Sequence, residues 1–336
     1  YNKGATFNGK ILINDALSTE IAGQTAVDTI DRQLETQDNS LYLTKIFTDN
    51  TPDKNVRFTR NESLLNTTTV SNQNQNYYET RLLGTTLQIS NYIKIFGQRA
   101  QIIGVFKVKN VDTGEYERLL KVQLDNYVYK PFDTNGTNNW ETSSLIQTLN
   151  SEDNLNEYYN YYKDYFSSSK SGSTYFDYDN DFGTVDSNTY IGVIANVEWD
   201  IGGLDSLNVS LEDAYKQERG LTLYTTNKKT WTGKIGLPSL TDYLYDKLGA
   251  DCASDLSTCS TLANLVSAPS VNLTLTKDNT SISNMYLYDY NYRAPKSTST
   301  GGNVYPTFYL KKDVKFACGD GSGNNPYAIT YEECLS

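Results

Sequence analysis

The sequence predicts an α+β domain, rich in strand, preceded by a β/α extension at its N-terminal end. Three observations predict it. Apolar residues gather into strand-length runs between 93 and 124, broken by one glycine-bearing turn. Short segments with helix-start and helix-stop residues then follow one by one, and β-type sequence returns near the end. Tyrosine is abundant, with 28 residues against one methionine, Met285, and no histidine. A ring that is apolar along its body and polar at its tip suits half-buried sheet surfaces and contact faces.

Taken in order, Ala5–Asn14 contains a short apolar run at Ile11, Leu12 and Ile13, behind Phe7, and reads as a strand. Residues 15–35 place Leu17, Ile21, Ala22, Ala26, Val27, Ile30 and Leu34 at helical spacing. From Asn61 to Asn76 the chain turns to Asn, Thr, Ser and Gln, typical of a solvated connection. This divides an extension, 1–80, from a body, 81–336. Within the body, Ile102–Val108 and Leu119–Leu124 flank Val111-Asp-Thr-Gly-Glu-Tyr116 and predict a hairpin. Helices are predicted over 142–149, 210–220 and 239–249, the second with Ser210 as cap and Gly220 as stop. Residues 150–190, rich in Tyr and Asn, read as a surface insertion, and 304–329 return to strand.

Charge and residue inventory narrow the function. A net charge of −11 disfavours nucleic acid and anionic lipid, both of which demand clustered Lys and Arg. No stretch approaches the ~20 apolar residues of a membrane-spanning helix. The chain opens on Tyr1 without a basic and apolar leader, as a mature exported product would. Cys252 with Cys259 and Cys318 with Cys334 form two local groups. Neither has zinc-site spacing, so two disulfides, 252–259 and 318–334, are the economical reading among three connectivities. Disulfides place the chain outside a reducing cytoplasm.

Without histidine, a Ser-His-Asp or Cys-His relay is excluded, and no nucleotide-binding glycine motif occurs. Carboxylate chemistry of the glycosidase type survives as a third reading. Asp177, Asp179 and Asp181 alternate as calcium ligands do, and calcium is the one cofactor the sequence suggests. Phe182 stands where a calcium loop of the EF-hand kind needs glycine, so a solvated acidic turn is the plainer explanation. Trp140, Trp199 and Trp231 would form a sugar-stacking platform if grouped on one open face, and core packing if not. Asn-x-Ser/Thr sequons stand at Asn61, Asn66, Asn135, Asn208, Asn272 and Asn279, as chance supplies in a chain rich in Asn and Thr.

Several segments resemble, in order, a family of exported proteins of Gram-positive and related bacteria catalogued only as a domain of unknown function. They are Asn91-Tyr-Ile-Lys-Ile-Phe-Gly97, Ile102-Ile-Gly-Val-Phe106, Gly136-Thr-Asn-Asn-Trp140, Trp199-Asp-Ile-Gly-Gly203, Glu218-Arg-Gly220, Trp231-Thr-Gly-Lys-Ile-Gly-Leu-Pro238, and the closing Tyr305–Lys315 and Gly319–Tyr327. The resemblance covers roughly 87–330. It implies export, a cell-surface setting and a mixed α+β domain, distantly C-type-lectin-like, in which a late strand returns to an early one. It supplies no catalytic residues.

The function expected from this is a non-enzymatic, extracellular bacterial surface protein. The leading expectation is a subunit of a filament of identical copies, with the strand around Phe7, Ile11, Leu12 and Ile13 added to a neighbour's sheet edge. Pairing of that strand within its own domain is the competing expectation. The runner-up function is a monomeric, lectin-like adhesin for glycan or a host protein.

Overall fold

The computed structural model describes residues 24–30, 43–48, 56–59, 76–82, 91–95, 98–150, 193–245, 255–258, 271–288, 295–329 and 333–334. They form an α+β structure in which strands outweigh helices. Among the described residues no helix is long and apolar enough to cross a membrane.

The first described element is a helical turn at 26–30, α1. Thr25 starts it: its hydroxyl accepts from the Asp28 backbone N–H at 3.1 Å, and the Asp28 carboxylate accepts from the Thr25 backbone N–H at 3.2 Å. This reciprocal cap satisfies two donors that a helix start leaves open. Ala26, Val27 and Ile30 are buried, and the Ala26 N–H donates to the Val314 carbonyl at 2.7 Å. This part of the N-terminal region therefore packs against the C-terminal part of the same chain.

A nine-stranded sheet organises the molecule. Its centre is the hairpin of β5 (Gln98–Lys109) and β6 (Tyr116–Leu124), turning through Gly114 at φ 75°. A bulge near Ile102 lets two residues of β5 face one of β6. On one side of the hairpin, β16 (Thr307–Leu310) pairs with β6, and β11 (Ile235–Gly236) pairs with β16. On the other, the two halves of β5 hold different partners. Gln98–Gln101 pairs with β4 (Tyr92–Ile95), and Gly104–Phe106 with β3 (Asn76–Leu82). Beyond β3 lie β1 (Leu43–Thr48) and then β2 (Val56–Thr59), all antiparallel. The division expected near residue 80 does not separate two sheets, because β1, β2 and β3 continue the sheet of the body.

The chain end returns to this sheet. β17 (Tyr327–Ala328) pairs in parallel with β4. Smaller sheets join β7 (Val128–Pro131) to β15 (Gly301–Val304), β8 (Val197–Asp200) to β10 (Thr230–Gly233), and β9 (Gly203–Leu204) to β12 (Lys277–Asp278), β13 (Asn284–Tyr286) and β14 (Pro295–Ser297).

The remaining helices lie close to their expected positions. Helix α2 (Ser144–Asn150) follows a 3-10 turn at Trp140–Thr142. Its last side chain, Asn150, donates to the Ile235 carbonyl and accepts from the Ile235 N–H, which fastens the helix to β11. Helix α3 (Leu211–Arg219) begins on Ser210 and stops at Gly220, whose φ of 59° is left-handed. Helix α4 (Leu240–Tyr245) begins on Ser239. The expected insertion at 150–190 lies outside the described residues, Asn150 excepted.

Both faces of the central hairpin are covered. Every residue from Leu119 to Leu124 is buried, so Leu120, Val122 and Leu124 on one face and Leu119, Lys121 and Gln123 on the other are all removed from water. Alternation of this kind normally turns the polar set to solvent. Lys121 is instead covered, and it marks the candidate site.

Candidate functional site

Lys121 projects from the middle of β6 into a closed polar network. Its ammonium lies 2.7 Å from Asp242 Oδ2, and the two side chains are 4% and 0% exposed. Three aromatic rings surround the same nitrogen: Phe106 at 5.0 Å to the centroid, Trp199 at 5.4 Å and Tyr309 at 5.6 Å. Adjacent strands bring them there, since Phe106 is on β5, Tyr309 on β16 and Trp199 on β8. Cation–π attraction gains strength where water is excluded.

Asp242 owes its position to the start of α4. The Ser239 N–H donates to Asp242 Oδ2 at 2.7 Å, and the Asp242 N–H donates to Ser239 Oγ at 3.3 Å, a second reciprocal cap. The other carboxylate oxygen, Oδ1, lies 4.0 Å from Arg219 at the end of α3. Arg219 also donates to Glu218 at 3.2 Å and stacks over Tyr215 at 3.8 Å. Glu218 in turn accepts from the Thr241 N–H at 3.2 Å, from the Thr241 hydroxyl, and from the Thr276 hydroxyl at 2.5 Å. Two cations and two carboxyls thus share one interior, tied to β6, α3, α4 and the strand segment around Thr276.

Burial pushes the Glu218 carboxyl above the ordinary range, although Arg219 and the two threonine hydroxyls oppose this; the nearby Asp242 charge adds to the rise. The rise moves Glu218 toward its protonated form. A small cavity of about 20 Å³ lies beside the network, lined by Lys121, Trp199, Glu218, Arg219, Ser239 and Tyr309 among others. That is room for about one water molecule and not for a sugar.

The three tryptophans named from the sequence do meet. Trp140 and Trp231 are 5.7 Å apart edge to face, and Trp231 and Trp199 are 6.5 Å apart. However, Trp140 and Trp199 are each only 2% exposed, and Trp231 is half-buried against the core. Opposed on the β8–β10 pair, Trp199 and Trp231 fill the space over Gly236 and Gly233, where an added Cβ would meet their rings. The platform reading is corrected: no open face is left on Trp140 or Trp199 for a sugar ring, because Trp199 is buried on the β8–β10 pair and Trp140 packs against Phe132 and Trp231.

Several resemblance landmarks also have structural work. The Asn138 amide points at three carbonyls, those of Asp278, Ser281 and Asn284, at 2.7–3.0 Å, and holds the β12–β13 turn to the segment before α2. Asp133 accepts from the Thr137 and Ser144 backbone N–H groups. Cys318 and Cys334 form a disulfide with an S–S distance of 2.01 Å. Cys252 and Cys259, the acidic trio Asp177, Asp179 and Asp181, and the strand residues Phe7, Ile11, Leu12 and Ile13 lie outside the described residues.

The sequence alone did not single out Lys121; Glu218 and Arg219 entered only as part of a landmark, and Asp242 only as part of the predicted helix 239–249. The available signal was a lone lysine inside the apolar run Leu119-Leu-Lys-Val-Gln-Leu124. Period-2 patterning assigns such a residue to solvent, and the rings of Phe106, Trp199 and Tyr309 together with Asp242 reverse that. No protein-family model, curated protein or solved structure matches the chain.

Proposed function

We propose that the chain is a non-enzymatic, extracellular subunit of the bacterial cell surface that assembles with identical copies by strand addition. The observation that supports this best is the far edge of the main sheet. Among the described strands, β2 pairs with β1 alone, so the described part of the sheet has β2 as its last strand on this side. An edge of this kind is a template for an extended segment from another chain. The segment carrying Phe7, Ile11, Leu12 and Ile13 has the length and apolar pattern of a donor. Donation in one direction repeats from copy to copy and yields a filament.

Two further features agree with this reading. Glu218 and Asp242 are engaged with Arg219 and Lys121 inside the protein, whereas a glycosidase needs its two acids across an open cleft. The buried tryptophans remove the main support for a lectin-like platform.

Negative-stain microscopy of the intact chain and of a chain lacking residues 1–14 tests the proposal. Filaments from the intact chain that disappear on truncation support it. Proline placed at Arg57 and at Phe58 in separate variants probes the β2 edge, since only one of the two backbone N–H groups faces away from β1. Dispersed particles from every sample would sink the assembly reading and leave the monomeric adhesin.

A further inference from the structure

We propose that Lys121 and Asp242 condense into an internal isopeptide bond that joins strand β6 covalently to helix α4. The proposal does not depend on self-assembly. It rests on placement. The lysine nitrogen is 2.7 Å from a carboxylate oxygen of a residue 121 positions away, and both side chains are almost wholly withdrawn from water. The fold, not chance encounter, holds the two groups together. Amide formation between free amines and carboxylates fails in water because both are ionised and water drives hydrolysis. A fixed pair in a dry site escapes both limits. Orientation of this kind raises the effective concentration to as much as ~10⁵–10⁸ M, and burial favours the uncharged amine and acid over the ion pair.

The surroundings fit the step. Phe106, Trp199 and Tyr309 wall the amine on three sides and exclude solvent. The two carboxylate oxygens of Asp242 have different partners: Oδ2 accepts from the Ser239 N–H, while Oδ1 faces Arg219. The amine nitrogen attacks Cγ, and the Nζ–Cγ bond forms as the Cγ–Oδ1 bond breaks. Oδ2 stays as the amide oxygen, held by Ser239. Two protons leave the lysine ammonium and depart with Oδ1 as one water, so charge and atoms balance and nothing is oxidised or reduced. The Ser239 N–H faces Oδ2, the oxygen on which negative charge develops as the amine adds, and Arg219 lies beside the departing Oδ1. Glu218 shares Arg219 with Asp242, and burial raises its carboxyl above the ordinary range, which suits it to relay a proton to the leaving oxygen. The adjoining cavity has room for the single water released.

Intact-mass spectrometry of the full chain, denatured and fully reduced, decides the matter. The expected mass is lower than the sequence mass by one water. Trypsin should yield a branched product in which residues 119–163, uncut at Lys121 and at the Lys130–Pro131 bond, are joined to residues 235–247. Chains carrying Lys121→Arg or Asp242→Ala should each regain the full mass. A wild-type chain at its full sequence mass overturns the proposal, as does a Lys121→Arg chain that is still one water light, since the loss would then lie elsewhere. A folded Glu218→Gln chain at full mass supports the proton relay; one that still loses water refutes that role for Glu218.

Discussion

Removing the Cys318–Cys334 cross-link is expected to cost about 3 kcal/mol. The two cysteines are 16 positions apart, and closing a loop of that size withdraws about 10 cal/mol/K from the unfolded chain, or ~3 kcal/mol near room temperature. The loss should appear in the folded body and not merely at the chain end, because the linked segment carries its own contacts to the sheet. Tyr327 is wholly buried and stacks on Phe316 at 4.1 Å, and β17 pairs with β4. The perturbation is a Cys318→Ala/Cys334→Ala double variant, chosen over a reducing agent so that Cys252 and Cys259 are left as they are. With a urea slope of roughly 3 kcal/mol/M, the midpoint should fall by about 1 M. Tryptophan fluorescence is a suitable probe, since Trp140 and Trp199 are buried in the core. A variant whose midpoint and slope equal those of the parent would refute the reasoning: the segment would then be held by its packing alone.

Three other outcomes are expected. Gly220→Ala should destabilise by at least ~1–3 kcal/mol in a urea titration, because φ is 59° and the new Cβ would stand 2.4 Å from Lys228 Cα. Trp199→Ala should cost about 3–5 kcal/mol by the same measurement, as it vacates the space beside Tyr309 and removes the Nε1–H donor to the Gly233 carbonyl. Asp133→Asn should lower stability at neutral pH and flatten its dependence on acid. Burial of Asp133 opposes ionisation, but the N–H groups of Thr137 and Ser144 and the Thr137 hydroxyl outweigh it and hold the carboxyl below its ordinary range. A folded-state value below the unfolded one means the contribution is present above the usual aspartate value of about 4 and is lost as pH falls through the lowered value. Stability curves for parent and variant that run parallel into acid would exclude this.

What the sequence made legible is what short-range chemistry decides. The hairpin around Gly114, the Ser210 and Gly220 limits of α3 and the start of α4 each depend on residues within a few positions of one another, and they stand where expected. The Cys318–Cys334 pairing is also local, and it formed. The charge network was not legible, because Lys121 meets Asp242 only through the stacking of α4 over β6, and no short window contains both. The same reason separates the two readings of the tryptophans. Pattern placed Trp199 and Trp231 beside glycines, but only the antiparallel register that sets one against the other turns them inward. The division near residue 80 was read from composition alone: a polar connection marks a solvated segment, and strands on its two sides remain free to join one sheet, as β1, β2 and β3 do.

The two proposals concern opposite parts of the sheet, and this makes them separable. Strand addition would use β2, at the far end of the order β11-β16-β6-β5-β3-β1-β2, whereas the Lys121–Asp242 link would act at β6, with β5, β3 and β1 between. Proline at the β2 edge should therefore abolish filaments while leaving the mass one water short. Lys121→Arg should restore the mass and keep the edge, so that filaments still form but dissociate at lower urea. If the proline variants also regained the water, formation of the link would depend on assembly, and the interior of the subunit could no longer be treated as complete before its edge is used.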